Sequence, residues 1–116
     1  MNCANDTRER RDYPSPMGEN TAPAAESFCD VVRQHARAQG ETIAFTYGHE
    51  DISFAELDEG ANRVANGLVA LGVAPGERVA FLGKNHPLYF EAFLGAARIG
   101  AVMTPVNWRL AAPEVA

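Results

Sequence analysis

Cysteine and histidine are scarce in this 116-residue sequence, and their spacing excludes two classes of small protein. Small secreted domains that depend on disulfides carry several closely spaced cysteine pairs, whereas this chain has only Cys3 and Cys29. The three histidines match no zinc-binding spacing, and no Cys-x-x-Cys pair occurs. We therefore expect no metal site. Cys29 lies in a helical pattern without a flanking basic cluster, which predicts a small, half-buried apolar residue rather than a reactive thiol.

Positive charge is also scarce, and long apolar runs are absent from the sequence. The formal net charge is -5, whereas proteins that bind nucleic acid through its phosphates need a basic patch, so we expect no nucleic-acid partner. No stretch reaches the roughly 18 to 20 apolar residues of a membrane span, and the N-terminus lacks a secretory signal pattern. The sequence thus predicts a cytoplasmic protein without a membrane span.

Several catalytic motifs are absent. The sequence contains neither Gly-x-Gly-x-x-Gly nor Gly-x-Ser-x-Gly. Residues 83–85 read Gly-Lys-Asn, but a phosphate-binding P-loop needs a glycine at Arg78 and Ser or Thr after the lysine. Lys84, the only lysine, is therefore interpreted as a solvated charge at a strand end. We predict no catalytic residue in the chain.

What is present divides into two parts. Residues 1–24 are polar, mixed in charge and interrupted by three prolines, which is typical of a disordered tail. The break in composition motivates the hypothesis that Met17 is an alternative start. Residues 25–116 show the apolar periodicity of a folded unit.

Three helices and a hairpin are predicted from this periodicity. Ser27 and Gly40 bracket the first helix, and residues 43–47 and 52–54 form a hairpin around the turn-rich residues 48–51. The predicted buried face of the first helix comprises Phe28, Val31, Val32 and Ala36. Ser53 and Glu56 form a Ser-x-x-Glu capping box at the start of the second helix. The apolar residues at helical spacing in that helix are Phe54, Leu57, Ala61, Val64, Ala65, Leu68 and Leu71.

Polar residues of the second helix have structural explanations. Glu59 and Arg63 are four residues apart on its polar face and should pair. The carboxylates of Glu56, Asp58 and Glu59 look like a cluster, but negative charge in the first turn is stabilised by the helix dipole.

A βαβ unit completes the pattern. Pro75 and Gly76 fit a type II turn that precedes a strand over residues 78–82. Asn85, His86 and Pro87 open a third helix, and Gly100 ends it before a strand over residues 101–106. The predicted buried residues of the third helix are Phe90, Phe93, Leu94 and Ala97. The two strands should be parallel, joined by a right-handed crossover and covered on both faces. The fold class is α/β.

Two residues after the last strand are candidates for ligand binding. Ligands of open α/β sheets tend to bind where strands end, and Trp108 and Arg109 occupy that position. A packed tryptophan and a surface arginine remain the alternative. His86 has no identifiable nucleophile partner, so we expect it to cap a helix or to face solvent.

Three segments resemble core motifs of the AMP-forming adenylating superfamily, which includes acyl-CoA synthetases, luciferases and peptide-synthetase adenylation domains. Residues 52–68 are similar to its first motif, residues 71–80 to the following segment, and residues 97–107 to its second motif. The run Asn107-Trp108-Arg109-Leu110 favours acyl-CoA or aryl-CoA ligases. Gly60 and His86 depart from the usual pattern.

The resemblance implies the N-terminal part of an adenylating-enzyme large domain, with a hairpin, a βαβ unit, three main helices and an incomplete sheet. The parent enzyme would convert a carboxylic or fatty acid, ATP and CoA to acyl-CoA, AMP and pyrophosphate through an acyl-adenylate, with Mg²⁺. The family's phosphate loop, adenine contacts, magnesium ligand and C-terminal lysine lie downstream of the matched motifs. We therefore expect this fragment to be inactive alone, and the resemblance assigns ATP, Mg²⁺ and CoA as cofactors to the full-length parent.

One functional residue is implied by the resemblance. In some of these ligases the arginine of an Asn-x-Arg-Leu segment contacts the nucleotide phosphates of CoA, and Arg109 occupies that position. Two alternatives stay open. The chain could be a stand-alone interaction module that forms a homodimer or docks on a partner through the sheet face of its βαβ unit, or it could be the start of a peptide-synthetase adenylation domain.

Overall fold

A computed structural model describes residues 27–115 as an α/β arrangement. Its elements in chain order are α1 (Phe28–Gln39), β1 (Ile43–Tyr47), β2 (Glu50–Ser53), α2 (Phe54–Ala70), β3 (Arg78–Leu82), α3 (Pro87–Arg98), β4 (Val102–Val106) and α4 (Ala112–Val115). The three predicted main helices, the hairpin and the βαβ unit are all present. The predictions for the tail, Cys3 and Met17 lie outside the described residues.

Helix α1 begins as predicted, and its buried face agrees with the prediction at Val32 but not at Phe28 and Val31. The hydroxyl of Ser27 accepts a hydrogen bond from the backbone N–H of Asp30 at 3.2 Å, which confirms the cap. Cys29 and Val32 are buried, whereas Phe28 and Val31, predicted on the buried face, are exposed. Phe28 lies in the first turn, where its ring meets that of Phe93 edge to face, with centroids 5.9 Å apart. Cys29 is more buried than predicted.

Strands β1 and β2 form the predicted antiparallel hairpin. Strand β2 begins at Glu50, so the turn is shorter than the tetrad over residues 48–51. The register shifts between Ile43 and Phe45, which marks a bulge at the open end of the ladder. The hairpin delivers the chain directly into α2.

Helix α2 begins at the predicted capping box. The N–H of Glu56 donates to the Ser53 hydroxyl at 3.2 Å, and the Ser53 N–H donates to the Glu56 carboxylate at 2.8 Å. The helix ends at Ala70, so Leu71 lies just past it and is 82% exposed rather than buried. Its buried residues are Leu57, Gly60, Ala61 and Ala65.

Helix α3 crosses α2 at close range. A Cβ built on Gly95 would lie 2.7 Å from the Val64 side chain and 2.9 Å from the Ala61 carbonyl oxygen. Glycine therefore permits the two helices to approach here. Leu94 is fully buried beside this contact, whereas Phe90, predicted as buried, is half exposed near the hairpin.

The main core lies between α1, α2, α3 and the hairpin. Its buried members are Cys29, Val32, Leu57, Ala61 and Leu94. Partly buried residues from the hairpin and from α3, including Phe45 and Phe93, pack around them. Apolar burial of this kind is the dominant favourable contribution to folding.

Strands β3 and β4 pair in parallel, as predicted, with α3 as the crossover. The preceding turn has the predicted type II signature, with Gly76 at φ 85° and a hydrogen bond from Glu77 N–H to the Ala74 carbonyl. Alternate residues of β3 are exposed, and Leu82 is 63% exposed. The expectation that both faces are covered is therefore not met within residues 27–115, because α3 covers only one of them. The short helix α4 was not predicted.

Candidate functional site

The carboxyl ends of β3 and β4 bring two polar segments side by side. Leu82 pairs with Val106 at the end of the parallel ladder. The segments that follow are Gly83-Lys84-Asn85 and Asn107-Trp108-Arg109. Ligands of open α/β sheets bind at this edge, and both predicted candidates, Trp108 and Arg109, belong to it.

A cavity of about 370 Å³ opens between the two segments. Its lining residues include Phe81, Gly83, Lys84, Asn85, Tyr89, Asn107 and Trp108. The volume lies at the lower end of the range for small-molecule sites, so the cavity can take part of a ligand.

Aromatic packing forms the floor of this cavity. The Tyr89 ring meets Phe81 edge to face, with centroids 5.4 Å apart and planes at 89°. A Cβ on Gly83 would lie 3.0 Å from the Phe81 ring, so a side chain at that position would press on the floor. The glycine therefore keeps the strand end open.

Two cations lie over the ring of Trp108, which lines the cavity. The Lys84 ammonium nitrogen lies 4.7 Å from the centroid of the indole, and the Arg109 guanidinium carbon lies 5.0 Å from it. Both distances are within the range of cation–π attraction. Trp108 itself is 46% exposed, so the three side chains form a polar rim open to solvent.

A local turn fixes Arg109 in this position. The side-chain oxygen of Asn107 accepts a hydrogen bond from the Arg109 N–H at 3.0 Å, and the Asn107 carbonyl accepts one from Leu110 N–H. Asn favours such turns because its short side chain bonds the backbone two residues on. The sequence Asn-Trp-Arg-Leu therefore positions both the indole and the guanidinium.

Lys84 is the functional candidate that sequence reasoning missed. It is exposed at the end of β3, as predicted, but it contacts Trp108 rather than only solvent. The two residues are distant in the chain and meet only because β3 and β4 are parallel neighbours. The signal in the sequence was the presence of the only lysine directly after the predicted strand.

His86 caps α3, as predicted. Its Nδ1 accepts a hydrogen bond from the N–H of Leu88 at 3.1 Å, and its ring meets Tyr47 with centroids 5.3 Å apart. A second cavity, of about 460 Å³, lies between the hairpin and the start of α3. Aromatic side chains dominate its lining, and His86 is occupied as a cap, so it offers no arrangement for acid–base chemistry.

The three carboxylates near the start of α2 have separate roles. Hydrogen bonds from the Ser53 backbone and hydroxyl lower the pKa of Glu56 from its ordinary value of 4.5. Glu59 pairs with Arg63 at 3.4 Å, as predicted, with both side chains largely exposed. Neither arrangement resembles a catalytic pair.

Asp58 requires a correction, because the helix dipole does not account for its main contact. Its carboxylate pairs with Arg98 of α3, whose side chain is only 5% exposed. The Arg98 guanidinium also donates to the Asp58 carbonyl at 2.9 Å and to the Asn62 side-chain oxygen at 2.6 Å. This cluster fixes α3 against α2.

Within residues 27–115, no group of three or more His, Cys, Asp or Glu side chains could hold a metal ion. None of the helices in the same range is long and apolar enough to cross a membrane.

Comparison with known proteins gives a family match. Residues 32–116 match the family described as AMP-binding enzyme. The chain is 40% identical over 93 residues to a fatty acid–[acyl-carrier-protein] ligase of Streptomyces coeruleorubidus, covering 80% of this chain and 18% of that protein. It is 44% identical over 82 residues to a feruloyl-CoA synthase of an Amycolatopsis species, covering 71% and 17% respectively.

Solved structures show the same similarity. The N-terminal domain of FACL13 from Mycobacterium tuberculosis matches with a TM-score of 0.70 and 40% identity, over 75% of this chain and 22% of that one. The anthranilate CoA ligase AuaEII, in complex with anthranoyl-AMP, matches with a TM-score of 0.71 and 26% identity, over 75% and 17%. The chain thus spans less than a quarter of the length of these relatives.

Proposed function

This chain belongs to the AMP-binding enzyme family, and from that membership we propose that it is the N-terminal part of an ATP-dependent acyl-CoA ligase. The proposed reaction joins a carboxylic acid to the thiol of CoA. The observation that carries the proposal is the similarity to acid–thiol ligases through both the hairpin–helix segment and the βαβ unit.

The proposed chemistry proceeds in two steps. A carboxylate oxygen attacks the α-phosphorus of ATP, which forms an acyl-adenylate and releases pyrophosphate. The CoA thiol then loses its proton and attacks the acyl carbonyl carbon, which forms the thioester and releases AMP. Activation is needed because a free carboxylate is a poor electrophile, whereas AMP is a good leaving group.

The described residues would contribute to the second step. We propose that Arg109 contacts the nucleotide phosphates of CoA, since a guanidinium binds phosphate oxygens through two parallel hydrogen bonds. Its exposed position beside Trp108 and the hydrogen bond from its backbone N–H to Asn107 support this role. The expected location of an enzyme that uses ATP and CoA is the cytoplasm.

A second candidate acceptor is an acyl-carrier protein. The relative from Streptomyces coeruleorubidus is a fatty acid–[acyl-carrier-protein] ligase and matches over 93 residues. A carrier protein presents its thiol on a phosphopantetheine arm, which lacks the adenosine phosphates of CoA. The two acceptors therefore differ at the end of the molecule that Arg109 would contact.

The test is a pair of assays on the full-length polypeptide that carries this segment. Acid-dependent exchange of labelled pyrophosphate into ATP reports the first step, and mass spectrometry of the thioester identifies the acceptor. We expect exchange with a carboxylic acid and a CoA thioester as product. The absence of exchange with a broad panel of aliphatic and aromatic acids would contradict the proposal.

The 116-residue polypeptide alone provides the control. We expect it to give no exchange, because its sequence contains no Thr/Ser/Gly-rich phosphate loop of the kind that the family resemblance implies. A clear exchange signal from it would show that the adenylating groups lie within this segment.

A further inference from the structure

We propose that Lys84 is a second phosphate-binding residue and that it acts with Arg109, across Trp108, to recognise the phosphorylated nucleotide end of CoA. This inference rests on the proposed function for the identity of the ligand. It adds a residue on a different strand from Arg109. It also predicts which acceptor the site prefers, because a carrier protein has no corresponding nucleotide.

The geometry places both cations on one side chain. Lys84 follows β3 and Arg109 follows β4, and each lies about 5 Å from the Trp108 indole centroid. Both cations therefore contact the same indole, and Lys84 and Trp108 also line the cavity of about 370 Å³. A cation–π contact at an exposed site contributes about 0.5–1 kcal/mol, which favours the position of Lys84 over the ring.

The positive charges of Lys84 and Arg109 favour a bound anion. Two like charges close together repel, and within residues 27–115 neither Lys84 nor Arg109 forms an ion pair with a carboxylate. Arg63 and Arg98, by contrast, pair with Glu59 and Asp58. A bound phosphate group would remove the repulsion between Lys84 and Arg109.

The two cations suit different parts of a phosphorylated ligand. Arginine binds phosphate oxygens as a planar fork, whereas lysine acts as a mobile point charge. CoA carries a diphosphate and a 3′-phosphate, so it offers negative charge at more than one place. Phosphopantetheine carries a single phosphate and can satisfy fewer contacts. The pair of cations therefore favours free CoA.

Trp108 allows a direct test, because it is the only tryptophan in the chain. Its fluorescence, excited at a wavelength that adenine does not absorb, should change when a phosphate displaces the cations around it. The 116-residue chain is titrated with CoA, 3′-dephospho-CoA, 4′-phosphopantetheine and inorganic pyrophosphate. The variants are Lys84→Gln, which removes the charge, and Lys84→Arg, which keeps it. Arg78→Gln, at the other end of β3, is the control with the same change in net charge.

We expect CoA to bind more tightly than 4′-phosphopantetheine. Lys84→Gln should weaken CoA binding about fivefold, which is the upper range for one exposed charge pair. Lys84→Arg and Arg78→Gln should leave it within about twofold of the original chain. If Lys84→Gln weakens the binding of 3′-dephospho-CoA less than that of CoA, Lys84 contacts the 3′-phosphate. If it weakens the binding of both compounds equally, Lys84 contacts the diphosphate.

Two results would overturn the inference. One is a fluorescence signal that no phosphate compound changes. The other is CoA binding that Lys84→Gln and Arg78→Gln weaken equally, which would show a general effect of charge. Neither readout requires catalysis, so failure of the proposed function would appear separately, as absent pyrophosphate exchange in the full-length polypeptide.

Discussion

Arg98 is the buried charge on which the contact between α2 and α3 depends. Its guanidinium reaches the carboxylate and carbonyl of Asp58 and the amide oxygen of Asn62, while its Nε has no partner among the described residues. Taking a charge out of water is costly unless a partner compensates it. The Asp58 carboxylate is therefore more important to stability than its partial exposure suggests.

We predict that Asp58→Ala lowers the free energy of unfolding by about 3 kcal/mol, because it leaves Arg98 buried without its carboxylate. The matched control is Glu59→Ala, which removes a carboxylate from the exposed pair with Arg63 and should cost less than about 1 kcal/mol. Urea denaturation monitored by circular dichroism measures both. Equal losses for the two variants would contradict the account.

At the residue scale, the sequence predicted local contacts and missed tertiary ones. The caps at Ser27, Ser53 and His86 were predictable because their partners lie two or three residues away. The contact of Asp58 with Arg98 joins two helices that are far apart in sequence. The contact of Lys84 with Trp108 likewise depends on strand pairing, which no local pattern displays.

At the scale of elements, two helical glycines differ in whether the packing around them leaves room for a side chain. Gly95 lies where α3 meets α2, and a Cβ there would lie 2.7 Å from the Val64 side chain. Gly67 lies in α2 with nothing within 4 Å of the position its Cβ would occupy. Glycine inside a helix is generally unfavourable, and the sequence alone does not show which position requires it.

We predict that Gly95→Ala destabilises the protein by about 1–3 kcal/mol, because the methyl group would force the helices apart. The same change at Gly67 should stabilise it by about 0.5–1 kcal/mol, because alanine restricts the helix backbone without a clash. Thermal denaturation of the two variants measures the signs. A stabilising Gly95→Ala would show that the helices are not in close contact.

The capping box of α2 predicts a dependence of stability on pH. Hydrogen bonds from Ser53 lower the pKa of Glu56 in the folded chain below its ordinary value of 4.5. A carboxyl group with a lowered folded-state pKa stabilises the fold above its unfolded pKa, and this contribution is lost as pH falls through the folded pKa.

We therefore expect Glu56→Gln to destabilise the chain at neutral pH and to have a diminishing effect below pH 4.5. Ser53→Ala, which removes the other half of the box, should cost about 1 kcal/mol. Denaturant titrations at a series of pH values measure the difference. A difference between Glu56→Gln and the original chain that is constant with pH would show that the hydrogen bonds to the ionised form do not matter.

At the scale of the whole molecule, the two halves of the structure differ in how completely they are covered. The helices and the hairpin enclose a core, whereas the β3–β4 sheet has exposed alternate residues. Strand order, parallel pairing and helix positions followed from periodicity and turn residues. The extent of burial did not, because apolar runs predict what a strand can bury and not which neighbours are present to cover it.

The association of this segment with CoA is the central claim at this scale. The ends of β3 and β4 form the described site, and the proposed function assigns the second step to it. Loss of the Arg109 charge should therefore weaken the use of CoA as acceptor and leave the activation of the acid unchanged. A general loss of structure would impair both half-reactions, whereas loss of a CoA contact would impair only the second.

The most direct test is the kinetics of Arg109→Ala in the full-length polypeptide, with Arg63→Ala as the control for removal of an exposed arginine. We predict that Arg109→Ala raises the KM for CoA about tenfold, the effect of losing one hydrogen bond to a charged group, while acid-dependent pyrophosphate exchange is unchanged. A KM for CoA equal to that of the control would contradict the placement of CoA at this end of the sheet.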